Sequence, residues 1–234
     1  MAGAKLRYAI FPAPPYMIGA DETGTALSGI DVDIVQALAS QLNVPVETIK
    51  CTWARCLELM QSGEADLLSS TYKQPDREAY MRYFDDPYLD QLPIAFYYLT
   101  GQPYTLATYS DLYTLPSVGV LAGASYFQRF DSDAAIHKVE VPSQDQLFPM
   151  LLRGRVAAIA GYVPTENYRI ALEGYQDKVQ RSTYTYSETA LVYMALSRKS
   201  PFLARFDEIN RANQQLLANG QIARIVAAYY DRYR

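Results

Sequence analysis

The sequence predicts an α/β chain of two lobes, each a mostly parallel sheet flanked by helices, with two hinge strands between them. Three observations predict it. Strand-like and amphipathic helix-like stretches alternate from residue 30 to residue 69, the pattern of a parallel sheet covered on both faces. A helix–glycine–strand unit then recurs, because Leu57-x-x-Met60-x-x-Gly63-x-x-Asp66 is echoed by Phe148-x-x-Leu151-x-x-Gly154-x-x-Ala157. Helix–glycine–strand is a common sequence, so the echo alone is also compatible with chance. Finally, two strand-like runs, Leu92–Leu99 and Ser187–Leu196, stand where a chain would cross to a second lobe and return. Lobe one is expected at 1–95 and 188–234, discontinuous, with lobe two inserted at 96–187.

The elements follow in order. Leu6–Ile10 opens the fold as a strand. Ile30, Ile34, Leu38 and Leu42 recur every four residues beside Val35 and Ala39, which makes one apolar helix face. Asp31 and Asp33 fall in that helix's first turn, where acids suit the dipole, and Asn43 can close its end. Val44–Thr52 reads as a strand, Trp53–Ser62 as a helix and Ala65–Ser69 as a buried strand. In the second copy, Ser143-Gln-Asp-Gln146 predicts a capping-box start, and Pro149 sits early enough to bend the helix that follows. At the end of the chain, Phe202, Phe206, Ile209 and Leu216 share a helix face, Asn219-Gly220 stops it, and Ile222–Tyr230 begins another.

Composition narrows the function. A chain of 234 residues suits one large domain or two small ones. Its net charge of -4 argues against a nucleic-acid partner, which needs a concentrated basic surface. The lone histidine, His137, rules out two-histidine metal spacings, and no Gly-x-Ser-x-Gly, Walker A or Gly-x-Gly-x-x-Gly sequence is present. No metal, nucleotide cofactor or catalytic group is therefore expected. Asp85-Asp86 reads as a turn rather than an acid pair. Tyrosine stands out, with 21 residues against 8 Phe and 1 Trp; its flat apolar body and polar tip suit both a half-wet cleft and domain edges. Cys51 and Cys56 are expected as buried thiols, a disulfide being the geometrically demanding alternative. No run of eighteen apolar residues occurs, and Met-Ala-Gly-Ala-Lys lacks the apolar core of a signal peptide, as expected of a chain beginning at a mature N-terminus.

Three segments carry a resemblance. Gly29-Ile-Asp-Val-Asp-Ile34 opens the first helix, Leu57-Glu-Leu-Met-Gln-Ser-Gly-Glu-Ala-Asp66 follows, and Asp66 to Tyr88 runs through Leu-Leu-Ser-Ser-Thr to Gln74-Pro-Asp-Arg77 and Phe84-Asp-Asp-Pro-Tyr88. In that order and at those distances they resemble the family 3 extracellular solute-binding proteins, the polar amino-acid binders of bacterial ABC importers. The resemblance covers nearly the whole chain, strongest in 29–88 and weakest in 104–186. It implies a type II periplasmic-binding-protein fold that captures a small carboxylate-bearing solute, an amino acid or related compound, in an interlobe cleft. It also implies a periplasmic or extracytoplasmic location, a monomer, and ABC importer membrane subunits as partners.

The resemblance further implies roles for particular residues. Arg77 would fork onto the ligand carboxylate, its run matching the family's Thr-Pro-Glu-Arg with Gln74 in place of Thr. Ser69, Ser70 and Thr71 would offer backbone groups and a hydroxyl, and Phe11, Tyr16 and Trp53 would wall the pocket. In lobe two, Ala122 and Ser125 belong to the glycine-containing turn Leu121–Tyr126, which would present amides at a helix start. Tyr162 stands where amino-acid binders carry the acid that holds the ammonium. Either a Tyr face and carbonyls replace that acid, or Glu166 or Glu188 does, or the solute is not a standard α-amino acid. Two alternatives remain: a receptor's sensor domain, which a transmembrane helix after Arg234 would mark, and an enzyme resembling cyclohexadienyl dehydratases, which prephenate or arogenate would test.

Overall fold

The computed structural model describes residues 4–19, 27–90, 93–187 and 191–232. The chain divides into two compact units, Met1–Asp90 with Ala190–Arg234, and Gln91–Thr189. The first begins with β1 (Leu6–Ile10), α1 (Ile30–Gln41), β2 (Val46–Lys50), α2 (Trp53–Ser62), β3 (Leu67–Thr71), α3 (Pro75–Glu78), β4 (Met81–Tyr83) and β5 (Leu89–Asp90). The second holds β6 (Ile94–Leu99), β7 (Val118–Leu121), α4 (Gln128–Ser132), β8 (Lys138–Val141), α5 (Leu147–Leu152), β9 (Ala158–Tyr162), α6 (Val163–Glu173) and β10 (Val179–Tyr186). The chain then returns to the first unit through β11 (Leu191–Ser197), α7 (Phe206–Ala218) and α8 (Gln221–Arg232). No helix among the described residues is long and apolar enough to cross a membrane.

The two sheets repeat one plan. The first runs β2-β1-β3-β11-β4, with β5 also on β11, and the second runs β10-β6-β9-β7-β8. In each, three strands pair in parallel, β2-β1-β3 and β8-β7-β9. An antiparallel strand closes the third, β11 on β3 and β6 on β9. The helix–glycine–strand echo of the sequence feeds the same place twice, α2 into β3 and α5 into β9. Gly63 and Gly154 both take left-handed φ, +82° and +67°, which ends each helix tightly. Among the described residues β6 pairs in the second sheet and β11 in the first.

Several boundaries differ from expectation. β3 begins at Leu67 rather than Ala65, because residues 63–65 close the end of α2: Gly63 N and Ala65 N both return to Leu59 O, at 3.0 and 3.1 Å. Asp66, which closes the first copy of the echo, is a structural clamp. Arg7 Nε and Nη2 fork onto its two oxygens at 2.9 and 2.8 Å, and Ser200 Oγ donates at 2.7 Å. Burial pushes the Asp66 carboxyl up, but these donors and the Arg7 charge outweigh it and hold it below the usual range. The expected capping box at Ser143 does not form. A single 3-10 turn (Gln144–Gln146) precedes α5, Ser143 makes no side-chain cap, and Pro149 falls in a first turn that needs no N–H.

Cys51 and Cys56, expected as thiols, form a disulfide instead. The chain leaves β2, is capped by Thr52 and turns at once into α2, so the fourth helical residue comes back beside Cys51. Their Cα atoms lie 5.4 Å apart, inside the range a bridge requires.

The tyrosine excess is spent largely on cores. In the second unit Tyr97, Tyr98, Tyr109 and Tyr126 are buried, and three of these hydroxyls are satisfied: Tyr97 donates to Asn167, Tyr109 to Asp133, and Tyr126 accepts from Leu121 N. In the first unit Tyr229 Oη accepts from Gly29 N and donates to Asp33 Oδ2, both at 2.9 Å, which ties α8 to the start of α1. Gly29 itself has φ +133°, and a Cβ there would lie 2.2 Å from Tyr16 O. Gly29→Ala is therefore expected to destabilise the fold by about 2 kcal/mol or more, read by urea unfolding.

Candidate functional site

In the first unit the candidate residues gather at the carboxyl end of β3, where ligands of open α/β sheets bind. Pro75 starts α3 and delivers Arg77 into the interior, 5% exposed. Arg77 Nη1 donates to Thr71 Oγ1 at 3.4 Å, and its guanidinium lies 5.3 Å from the Trp53 ring centroid. Trp53, the first residue of α2, meets Phe11 edge-on at 4.8 Å between centroids. Phe11, Trp53, Arg77 and Thr71 thus form one connected group. A planar cation seated on an aromatic face with its fork directed by a hydroxyl is suited to a carboxylate.

Ser69 and Ser70 diverge from that group. The Ser69 hydroxyl is 2.6 Å from Tyr8 Oη inside the sheet core. Ser70 adopts φ +51°, a left-handed conformation uncommon for a side-chain-bearing residue. Its hydroxyl donates to Asp31 Oδ2 at 2.7 Å, and its N–H donates to Tyr88 Oη at 2.9 Å. Tyr16, almost wholly buried, joins through the backbone, its carbonyl accepting from Asp31 N at 3.0 Å. Asp31 and Tyr88 are the residues sequence reasoning passed over. Asp31 was read only as a dipole-favoured acid, although it lies in the very motif, Gly29–Ile34, that carries the resemblance.

In the second unit the turn after β7 does not lead directly into a helix as expected. Gly123 takes φ +72°, four residues without regular structure follow, and α4 begins only at Gln128 and runs for five residues. Ala122 N is used by Val141 O at 2.9 Å. Ser125 O accepts from Tyr162 Oη at 2.5 Å, and Tyr162 stacks on Tyr126 with centroids 5.8 Å apart. Ser125 and Tyr162 are brought together, while the Ala122 amide belongs to the sheet.

Glu166 is fully buried one turn into α6. Its Oε1 accepts from Gln144 Nε2, and its Oε2 is buried with no hydrogen-bond partner. The side chain occupies the space a Cβ on Gly161 would take, which lies 2.3 Å from Glu166 Cγ. Burial pushes its carboxyl up to about 7, against the pull of the Arg169 charge and the Gln144 hydrogen bond. Arg169 is itself committed to Gln144 O at 2.6 Å and Glu173 at 3.1 Å. Glu166 therefore packs as an interior group and does not line an accessible surface. Glu188, the other substitute acid, lies outside the described residues.

The family described as bacterial extracellular solute-binding proteins, family 3, matches residues 6–232. No curated protein matches the chain significantly. Among solved structures, a Salmonella typhimurium periplasmic binding protein described for high arginine specificity superposes with TM-score 0.83 at 18% identity, covering 97% of this chain and 99% of that one. An ancestral arginine-binding protein bound to glutamine gives 0.82 at 22% identity, over 97% of each chain. An ancestral amino acid-binding protein described as a precursor of cyclohexadienyl dehydratase gives 0.79 at 18%, over 98% of this chain and 96% of that one. At such identities the likeness speaks to fold.

Proposed function

We infer that this chain, which belongs to the bacterial extracellular solute-binding proteins of family 3 and has their type II periplasmic-binding-protein fold, captures a small carboxylate-bearing solute outside the cytoplasm. The solute is an amino acid or a related compound, and the chain hands it, as a monomer, to the membrane subunits of an ABC importer. Its role is binding rather than catalysis. The single observation that supports this most is the buried Arg77, held by Thr71 and the Trp53 ring at the end of β3. A guanidinium in a desolvated setting gives a carboxylate two parallel charge-assisted bonds.

Selectivity at the solute's amino end is expected to be relaxed. By the resemblance Tyr162 stands in place of the family's acid; its hydroxyl donates to Ser125 O, and the Glu166 carboxyl is interior. A desolvated ammonium without a counter-charge is costly, so this end contributes little to affinity. The test is a thermal-shift screen of amino acids, their des-amino counterparts, amines and organic acids. A ligand at about one hundred times its Kd stabilises by about 2.7 kcal/mol. Carboxylate-bearing solutes should raise the melting temperature, with des-amino counterparts close behind the best hit. Stabilisation by amines alone, or by none of these solutes, would overturn the reading. A des-amino counterpart about a thousandfold weaker, some 4 kcal/mol, would show that a carboxylate does hold the amino end.

A further inference from the structure

We propose that Asp31 is a positioning residue for solute capture, its buried carboxylate holding Ser70 and the Tyr16 segment in the arrangement that presents the end of β3. The inference rests on the carboxylate-capture reading above and deepens it. Asp31 is fully buried in the first turn of α1. It joins three segments far apart in sequence: its N–H reaches Tyr16 O at 3.0 Å, and its Oδ2 accepts from Ser70 Oγ at 2.7 Å and from Tyr88 Oη at 2.8 Å. Tyr88 Oη closes the ring by accepting from Ser70 N at 2.9 Å.

Two features set this apart from ordinary core packing. Ser70 is held at φ +51°, a conformation L side chains disfavour, immediately before Thr71, whose hydroxyl takes Arg77. The Asp31 network also leaves its own second oxygen, Oδ1, buried with no hydrogen-bond partner. Asp31 keeps a strained neighbour in place while itself incompletely solvated, a combination more typical of binding sites than of scaffolds.

The charge state follows from the surroundings. Tyr8 faces Asp31 from β1, Ser69 and Ser70 from β3, and Tyr88 from the segment before β5; the groups acting on it include no cation. Burial pushes the carboxyl up to about 6, and the hydrogen bonds from Ser70 and Tyr88 restrain it. Ionised Asp31 is the stronger acceptor, so affinity should fall as pH is lowered through about 6. The folded-state value lies above the ordinary one, so the ionised group disfavours the fold at neutral pH, and protonation on acidification removes that penalty. Removing the charge should therefore weaken binding without weakening the empty protein.

The experiment compares Asp31→Asn and Tyr88→Phe with the parent by calorimetric titration from about pH 5 to 8, alongside thermal melts of the empty proteins. The probe is whichever of L-arginine, L-glutamine or the other standard amino acids without a group titrating in that range gives the largest thermal shift. Asp31→Asn should lower affinity at least about tenfold at about pH 7.5, melt at or above the parent, and lose the pH step. Tyr88→Phe removes one restraining hydrogen bond, so its pH step should move upward. Asp33→Asn, exposed on the same helix, should bind like the parent. Parental affinity in Asp31→Asn, a loss that only tracks a lower melting temperature, or a pH step that persists in it would each overturn the proposal. A parent that binds no amino acid would instead overturn the capture reading beneath it.

Discussion

Arg77→Ala is expected to weaken capture of the best carboxylate-bearing solute about a hundredfold, from the loss of about 3 kcal/mol of paired charge-assisted hydrogen bonds. The melting temperature of the empty protein should change little. The variant loses packing against Trp53 and a hydrogen bond to Thr71, but it also removes a charge that is costly to bury. Arg77→Lys should recover only part of the affinity, because an ammonium cannot present two parallel donors. Calorimetric titration reads all three proteins. Undiminished affinity in Arg77→Ala would move the anchor elsewhere. Arg82 is then the next arginine in sequence, yet its guanidinium already lies 3.6 Å from the Phe206 ring centroid and 3.7 Å from Asp207.

Glu166→Gln is expected to stabilise the protein by about 2 kcal/mol at about pH 8, with the gain vanishing by about pH 5. The folded-state value of about 7 lies above the ordinary 4.5, so the folded protein holds a proton the unfolded chain has released. Stability contributed by the neutral carboxyl is complete below about 4.5 and is lost as pH rises through about 7. That interval corresponds to about 3 kcal/mol. A glutamine cannot ionise and keeps the oxygen that accepts from Gln144, while its own amide group inherits the unpartnered place of Oε2 and subtracts part of the gain. Urea unfolding of both proteins across that pH range measures the difference. Destabilisation at about pH 8 would mean that Arg169 holds Glu166 ionised, with the Arg169 charge outweighing burial.

Much of the first unit could be read directly from residue order. The four-residue spacing from Ile30 to Leu38 produced α1, and α2 runs from Trp53 to Ser62 as read. The glycine stops after both echo helices fell where left-handed φ is needed. Arg77 was singled out by the resemblance of its run to the family's, and the Pro75 before it starts a helix soon after a buried strand. These are local signals: periodicity, capping and turn chemistry depend on neighbours within a few residues.

Sequence by itself therefore determined the class of fold, the family and the short list of candidate ligand residues. Only the tertiary structure decided what each side chain does. The sequence offered Ser69, Ser70 and Thr71 as one polar loop, but strand alternation and the left-handed turn at Ser70 send them to Tyr8, to Asp31 and to Arg77. Cys51 and Cys56 became a disulfide because helix α2 begins at once and folds the chain back on itself. Glu166 became an interior group because Gly161, on the strand before it, leaves room for its side chain. In the Asp31 and Glu166 cases the deciding partner is not one that local pattern could name. Tyr88 stands 57 residues from Asp31 and Gln144 stands 22 from Glu166. Which distant residues meet is set by strand order and burial, and in a medium that excludes water those meetings decide which buried polar atoms are satisfied and which are not.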